Sequence, residues 1–463
     1  MMLALQAAPL LLLLGLLVSG RAGPVPAVLA ALAATLPAVL ASMPAPLPFL
    51  AEETARGAFL ALKPIGVVTG GLLFHAALVS PGPPTARAAE PRRIFAASLL
   101  AGVFLEGVTG FAVGAVFALS ALRGMGLSGA PAGAIALLSL TLVPWGGLGP
   151  GTALGAALIG VPAQDLAAAT AWPNAAWLLL LPPVLWRCCA AAGVAVPPAE
   201  RLFQLSTMAV MGALLIGLHR VLPFELVGVV AAGLPLLAVL WQLDPPRDGQ
   251  QWRAALARLA PYAGLTLALL GARAVPGVPE WRPFGELPGF PITHVAIVLW
   301  LVALGLLATR ADAGARVAGA LRRAWRPALA MLFYVVLARW MAGSGAASSL
   351  AEAAAAALGP AAPFAVPVFG LIAGLVTGSN VGSNAALMPI QAALGQASGL
   401  PPLLAPSLHN FAGAAGAGMS FAVTALICGV LADGTRQAQL WRLLAPALAG
   451  VLVLGWLSLL LAG

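Results

Sequence analysis

The chain is poor in the residues that build soluble active sites. Of 463 residues only 8% are charged, 14 are acidic, four are histidine and three are cysteine. Lys63 is the single lysine in a basic complement that is otherwise arginine. Cys188 and Cys189 adjoin, Cys428 is remote and the histidines are isolated, so zinc and redox spacings are missing and no metal or other cofactor is expected. The acids are scattered, with only Glu52 and Glu53 adjacent, which disfavours an integral-membrane enzyme acting on a lipid-linked substrate through a metal or a base. A net charge of +9 does not point to nucleic acid either. The arginines fall mostly in short gaps between apolar runs, the distribution that positive-inside topology produces.

What remains is apolar: 61% hydrophobic residues and a mean hydropathy of +1.00. This predicts an all-α, polytopic integral membrane protein forming one membrane transporter domain over residues 1–463. Apolar segments run at 3–19, 24–42, 57–79, 94–122, 128–147, 150–170, 173–192, 204–222, 224–242, 252–273, 291–309, 326–342, 362–396, 404–431 and 442–462. Some must be hairpins or half-spans, leaving about 12 to 14 crossings. Leu3–Val18 has the length of a signal-peptide core, but no positive charge precedes it, and it is expected as a retained first helix. Arginines gather at 87, 92 and 93, at 247, 253 and 258, and at 310, 316, 322, 323 and 326. These loops are expected to be cytoplasmic, which places the amino terminus outside.

Two segments, 94–122 and 362–396, are unusually long and interrupted. Paired interruptions in two halves predict an inverted repeat, here near 57–192 and 326–463, with a binding site between the breaks. The second carries TGSNVGSN, Thr377 to Asn384: four hydrogen-bonding Ser and Asn side chains and two glycines within an apolar run. On a helix Ser379 would share a face with Ser383, and Asn380 with Asn384. Ser, Asn and Gly also favour breaks and caps, so a broken helix lining a cavity is expected. Interhelical hydrogen bonding is the structural alternative for these side chains. In the first segment, FLEGVTGFAVG sets Glu106 at bilayer depth, where an acid costs at least ~2.5–3.5 kcal/mol and is usually functional or paired. Glu106 is a candidate carrier of a translocated proton, or a cap on a half-helix through the N–H groups of Gly107 to Thr109. Thr109 and Gly110 lie in the same break, and Gln391 follows the second one. HNFAGAAGAGMS adds His409 and Asn410, with Gly413, Gly416 and Gly418 read chiefly as packing positions. Lys63 is read as snorkelling to the interface.

At these residues the chain resembles the L-lactate permease family. FLEGVTGF at 104–111 is similar to that family's FLEG-x-x-GF, and GLVTGSNVGSNAAL at 374–387 to its TGS(D/N)-x-x-SN block. Weaker similarity lies in LKPIG at 62–66, in GMGLSGAPAGAIAL at 124–137 and through LHNFAGAAGAGMS. SLTLVPWGGLG at 139–149 and GAGMSFA at 416–422 depart from the family pattern, the latter without its basic residue, which implies a divergent member. The resemblance implies a permease of the inner (cytoplasmic) membrane that imports L-lactate or a related monocarboxylate such as glycolate with protons. Its partners would be that anion, protons and the bilayer, with no nucleic acid; oligomeric state is left open. Half-helix ends with Thr109, Gly110, Ser379, Asn380, Ser383, Asn384, Gln391, His409 and Asn410 would hold the anion, and Glu106 the proton. Sodium coupling also suits Asn and Ser oxygens with unwound carbonyls, whereas two dissimilar breaks favour a carrier over a channel.

Overall fold

The computed structural model describes residues 1–78 and 88–462; Arg87 and the end of the expected 57–79 segment lie outside the described residues. Helices dominate. The chain opens with α1 (Met2–Val18), α2 (Pro24–Ser42) and the long α3 (Pro46–Leu78). Then α4 (Pro91–Phe95) runs through a π-helical stretch, Ala96–Gly102, into α5 (Val103–Thr109), followed by α6 (Val113–Gly124) and α7 (Gly129–Leu137). A 3₁₀ stretch, Val143–Leu148, leads into α8 (Pro150–Leu158), α9 (Ala163–Ala191), α10 (Pro198–Gly217), α11 (Phe224–Leu243) and α12 (Gly249–Ala274). Two-residue strands β1 (Glu280–Trp281) and β2 (Phe290–Pro291) pair antiparallel. The second half comprises α13 (Val295–Ala308), α14 (Ala313–Gly343), α15 (Ala346–Leu358), α16 (Ala362–Thr377), α17 (Asn380–Ala397), α18 (Leu404–Gly418), α19 (Phe421–Leu431) and α20 (Gln437–Ala462).

Among the described residues nine helical stretches are long and apolar enough to cross a membrane, with Met2–Val18, Val113–Gly124 and Val295–Ala308 as shorter apolar helices. Several expected spans are instead half-helices meeting end to end, because glycine and proline stop each half at depth. The chain is an all-α polytopic membrane protein.

Small residues set the packing. A Cβ on Gly374 of α16 would overlap the Gly413 carbonyl of α18, and one on Gly416 would overlap the Leu371 carbonyl, so these helices touch backbone to backbone. The expected packing role of Gly413, Gly416 and Gly418 agrees with this: a Cβ at Gly418 would lie 2.6 Å from the Leu140 carbonyl oxygen. At one end of α3, buried Glu53 accepts from Arg56 and Arg339, each at 2.7 Å, joining α3 to α14. Lys63 donates to the Pro288 carbonyl and lies 5.5 Å from the centre of the Phe59 ring.

Candidate functional site

Four helix interruptions meet around one cavity of about 250 Å³. The first lies between α5 and α6. Gly110, Phe111 and Ala112 all have positive φ, at 70°, 60° and 60°. For Phe111 and Ala112 this conformation costs on the order of 1–3 kcal/mol each. Glu106 holds it in place: the buried carboxylate accepts from Ala112 N at 3.2 Å and Gly114 N at 3.1 Å, capping the start of α6. Glu106 therefore caps, but through the following helix rather than through Gly107 to Thr109, because the chain reverses at Gly110 and brings the α6 amides back over it. Thr109 donates its hydroxyl to the Leu105 carbonyl at 2.6 Å, leaving only acceptor capacity towards the cavity.

The second interruption separates α16 from α17. Gly378 adopts the left-handed conformation at φ 68°, and Ser379 becomes the N-cap of α17, its Oγ accepting from Gly382 N at 3.4 Å. Ser379 is thus outside the helix and does not share a face with Ser383, contrary to the helical spacing. Asn380 and Asn384 do point the same way. Both donate Nδ2 to Asn410 Oδ1 on α18, at 3.0 and 2.9 Å.

The third interruption is the 3₁₀ stretch before α8. Gly147, Leu148 and Gly149 have positive φ, and Pro150 opens α8 with no side chain capping it. The first-turn amides of α8 therefore have no partner in their own helix. The fourth lies between α18 and α19, where Ser420 Oγ accepts from Val423 N at 3.2 Å. The breaks cross in pairs. A Cβ on Gly110 would lie 3.2 Å from Gly147 Cα, and one on Gly378 would lie 3.2 Å from Ala422 Cβ and 3.4 Å from Ser420 Oγ. The cavity wall includes residues from the start of α6, α8, α17 and α19. Four positive helix ends thus face one small volume, a geometry that attracts anions.

The expected site residues divide into two groups. Glu106, Thr109, Gly110, Ser379 and Asn380 line the cavity. Ser383, Asn384, Gln391, His409 and Asn410 are buried behind it. Asn410 is the hub of that second layer, accepting from both asparagines of α17 and donating to Thr152 Oγ1 at 3.0 Å and Thr170 Oγ1 at 3.1 Å. Asn384 also donates to the Gly151 carbonyl at 2.9 Å, fastening α17 to the uncapped start of α8. His409 Nε2 lies 3.4 Å from Ser383 Oγ and 3.3 Å from its carbonyl. The buried Oδ1 atoms of Asn380 and Asn384, Gln391 Oε1 and His409 Nδ1 have no hydrogen-bond partner among the described residues. Gly147, Pro150, Gly151, Thr152, Thr170 and Ser420 were not singled out by sequence reasoning. The density of glycine and proline in PWGGLGPG, Pro144 to Gly151, was the available signal.

Residues 288–462, less than half of the chain, match the family described as L-lactate permease. That stretch is similar to the L-lactate permease family. It contains the second and fourth breaks and the Asn410 hub, and it leaves out Glu106. Among solved structures, the YdaH transporter of Alcanivorax borkumensis, described as having an unusual topology, is similar at a TM-score of 0.44 and 16% identity, over 89% of this chain and 86% of that one. No curated protein matches the chain. The permease-like stretch supplies α16 to α19, and thus nearly half of the cavity wall, including Asn380, the amide side chain that lines it among the described residues.

Proposed function

We propose that the protein is a secondary carrier that imports L-lactate or a related small monocarboxylate such as glycolate across the inner membrane, coupled to protons. The convergence of four half-helix amino ends on a cavity of about 250 Å³ carries this reading. It offers dipole ends and unwound amides to a carboxylate without an arginine, and the volume suits an anion of a few heavy atoms. Asn380 lines the wall, and its Nδ2 gives one proton to Asn410, so the second is available to the carboxylate. Asn384 and Asn410 act as positioning residues that hold α17 against α8 and α18.

Glu106 occupies one of the positive ends that the anion needs. When ionised it competes with the substrate for the amides of α6 and repels it; when protonated it does neither. Binding of proton and anion are thereby linked, and the loaded site carries one negative charge fewer. That removes about 2.3 kcal/mol per 100 mV of opposition to inward movement. The two-repeat reading, 57–192 and 326–463, is supported by each half contributing two breaks that cross each other. Sodium coupling is the alternative, supported by the buried Oδ1 atoms of Asn380 and Asn384, which have no hydrogen-bond partner among the described residues.

Uptake of labelled lactate and glycolate into proteoliposomes under an imposed pH gradient tests the proposal, with Glu106→Gln and Asn384→Ala as variants. Saturable, gradient-driven uptake by the wild type and its loss in both variants is the expected result. Uptake that follows a sodium gradient and ignores pH would replace the proton by sodium. No uptake of either acid by folded protein would remove the monocarboxylate assignment.

A further inference from the structure

A second, larger cavity of about 610 Å³ lies away from the central site, between α12 and a wall made by the π-helical stretch, α6 and α11. Its floor is apolar. Ala96, Ala97 and Ala101 of the π-helical stretch leave space that larger side chains would fill, and Leu237 and Leu240 of α11 continue the surface. Its rim is polar and aromatic. Trp241 and Trp252 meet with ring centres 5.4 Å apart, about half exposed, as aromatic residues at a membrane–water boundary do.

The charges at this rim are unequal. Arg93 is satisfied by Asp244, at 2.9 and 3.1 Å, and by Glu90 at 3.3 Å. Arg258, on the opposite side of the cavity, has no acidic partner among the described residues, and nor do Arg247 and Arg253 at the same end of α12. The first turns of α12 are exposed, with Trp252, Leu256 and Leu259 alternating with these arginines. An apolar floor, an aromatic rim and an unneutralised guanidinium match one class of ligand. We propose that this cavity binds an anionic phospholipid, its acyl chain along Ala97, Ala101 and Leu240 and its phosphate on Arg258. A free phosphate has no use for the apolar floor, and a zwitterionic lipid gains less from the unpaired cation.

The test is native mass spectrometry of the full chain in detergent, titrated with phosphatidylglycerol or phosphatidylcholine of identical acyl chains. Wild type should retain one phosphatidylglycerol with a preference of roughly fivefold or more, the scale of one basic residue near an anionic headgroup. Arg258→Gln should reduce that preference to parity and Arg258→Lys should keep it. Ser120→Trp, placed in the cavity from the exposed side of α6, should lower retention of both lipids, while Arg322→Gln on α14 should change nothing. Arg258 and Ser120 are exposed, so folding is not at stake. Equal retention of the two lipids by wild type, an undiminished preference in Arg258→Gln, or displacement of the lipid by inorganic phosphate would each overturn the proposal. None of these readouts depends on transport, so the outcome is independent of the substrate assignment.

Discussion

Replacing Glu106 by glutamine separates charge from shape at the centre of the proposed mechanism. A sphere of 250 Å³, the volume of the central cavity, is about 8 Å across. Two unit charges about 8 Å apart, at an effective dielectric of about 20, repel by about 2 kcal/mol, or roughly 30-fold in affinity. Glutamine removes that repulsion and keeps one carbonyl acceptor for the α6 amides. It leaves the other amide, of Ala112 or Gly114, facing an NH₂ group, a loss of about 1–3 kcal/mol in stability. The variant should therefore bind lactate or glycolate at alkaline pH up to roughly 30-fold more tightly than wild type, with an affinity no longer dependent on pH. In proteoliposomes it should exchange external for internal substrate while failing to accumulate it on a proton gradient. Isothermal titration across pH and paired counterflow and gradient-driven uptake assays measure both effects. Gradient-driven accumulation by Glu106→Gln would refute the assignment of Glu106 as proton carrier. Loss of counterflow in folded variant protein would show that the carboxylate acts on the α6 cap alone.

Asn410→Ala should strand the Nδ2 of Asn380 and leave that of Asn384 with the Gly151 carbonyl alone, lowering stability by about 1–3 kcal/mol as read by thermal unfolding in detergent, with substrate affinity falling alongside. Gly374→Ala places a methyl group on the Gly413 carbonyl, and folded, monodisperse protein should be lost on size exclusion, whereas Gly429→Ala, with open space around it, should behave as wild type. Asp433, in the loop between α19 and α20, accepts from the Thr435 hydroxyl and amide and from Gly129 N, which hold its carboxyl below the ordinary 3.8. A carboxyl lowered by folding stabilises above its unfolded pKa and loses that contribution as pH falls through the folded one. Asp433→Asn should therefore melt slightly below wild type at neutral pH, and the two melting temperatures should converge as the pH falls below about 4.

Composition alone determined that this chain is a polytopic helical membrane protein, because a sequence with so few charges has no surface to offer water. The breaks at Gly110 and Gly378 were also legible, since glycine beside Ser, Asn or Thr is where a helix ends most readily. The tertiary structure decided which breaks cooperate. Sequence spacing drew attention to two, whereas four converge; PWGGLGPG and the Met419–Ser420 junction acquire meaning only where Gly147 meets Gly110 and Ser420 meets Gly378. It also decided the division of labour among the polar residues. Asn384 and Asn410 look no less exposed to a substrate than Asn380 in one dimension, yet they lie behind the cavity wall, bonded to each other. The donors that Glu106 serves could not be read locally either, because they belong to a helix that begins only after the chain has reversed. Helix ends are set by neighbouring residues; the meeting of four such ends depends on contacts between segments hundreds of residues apart.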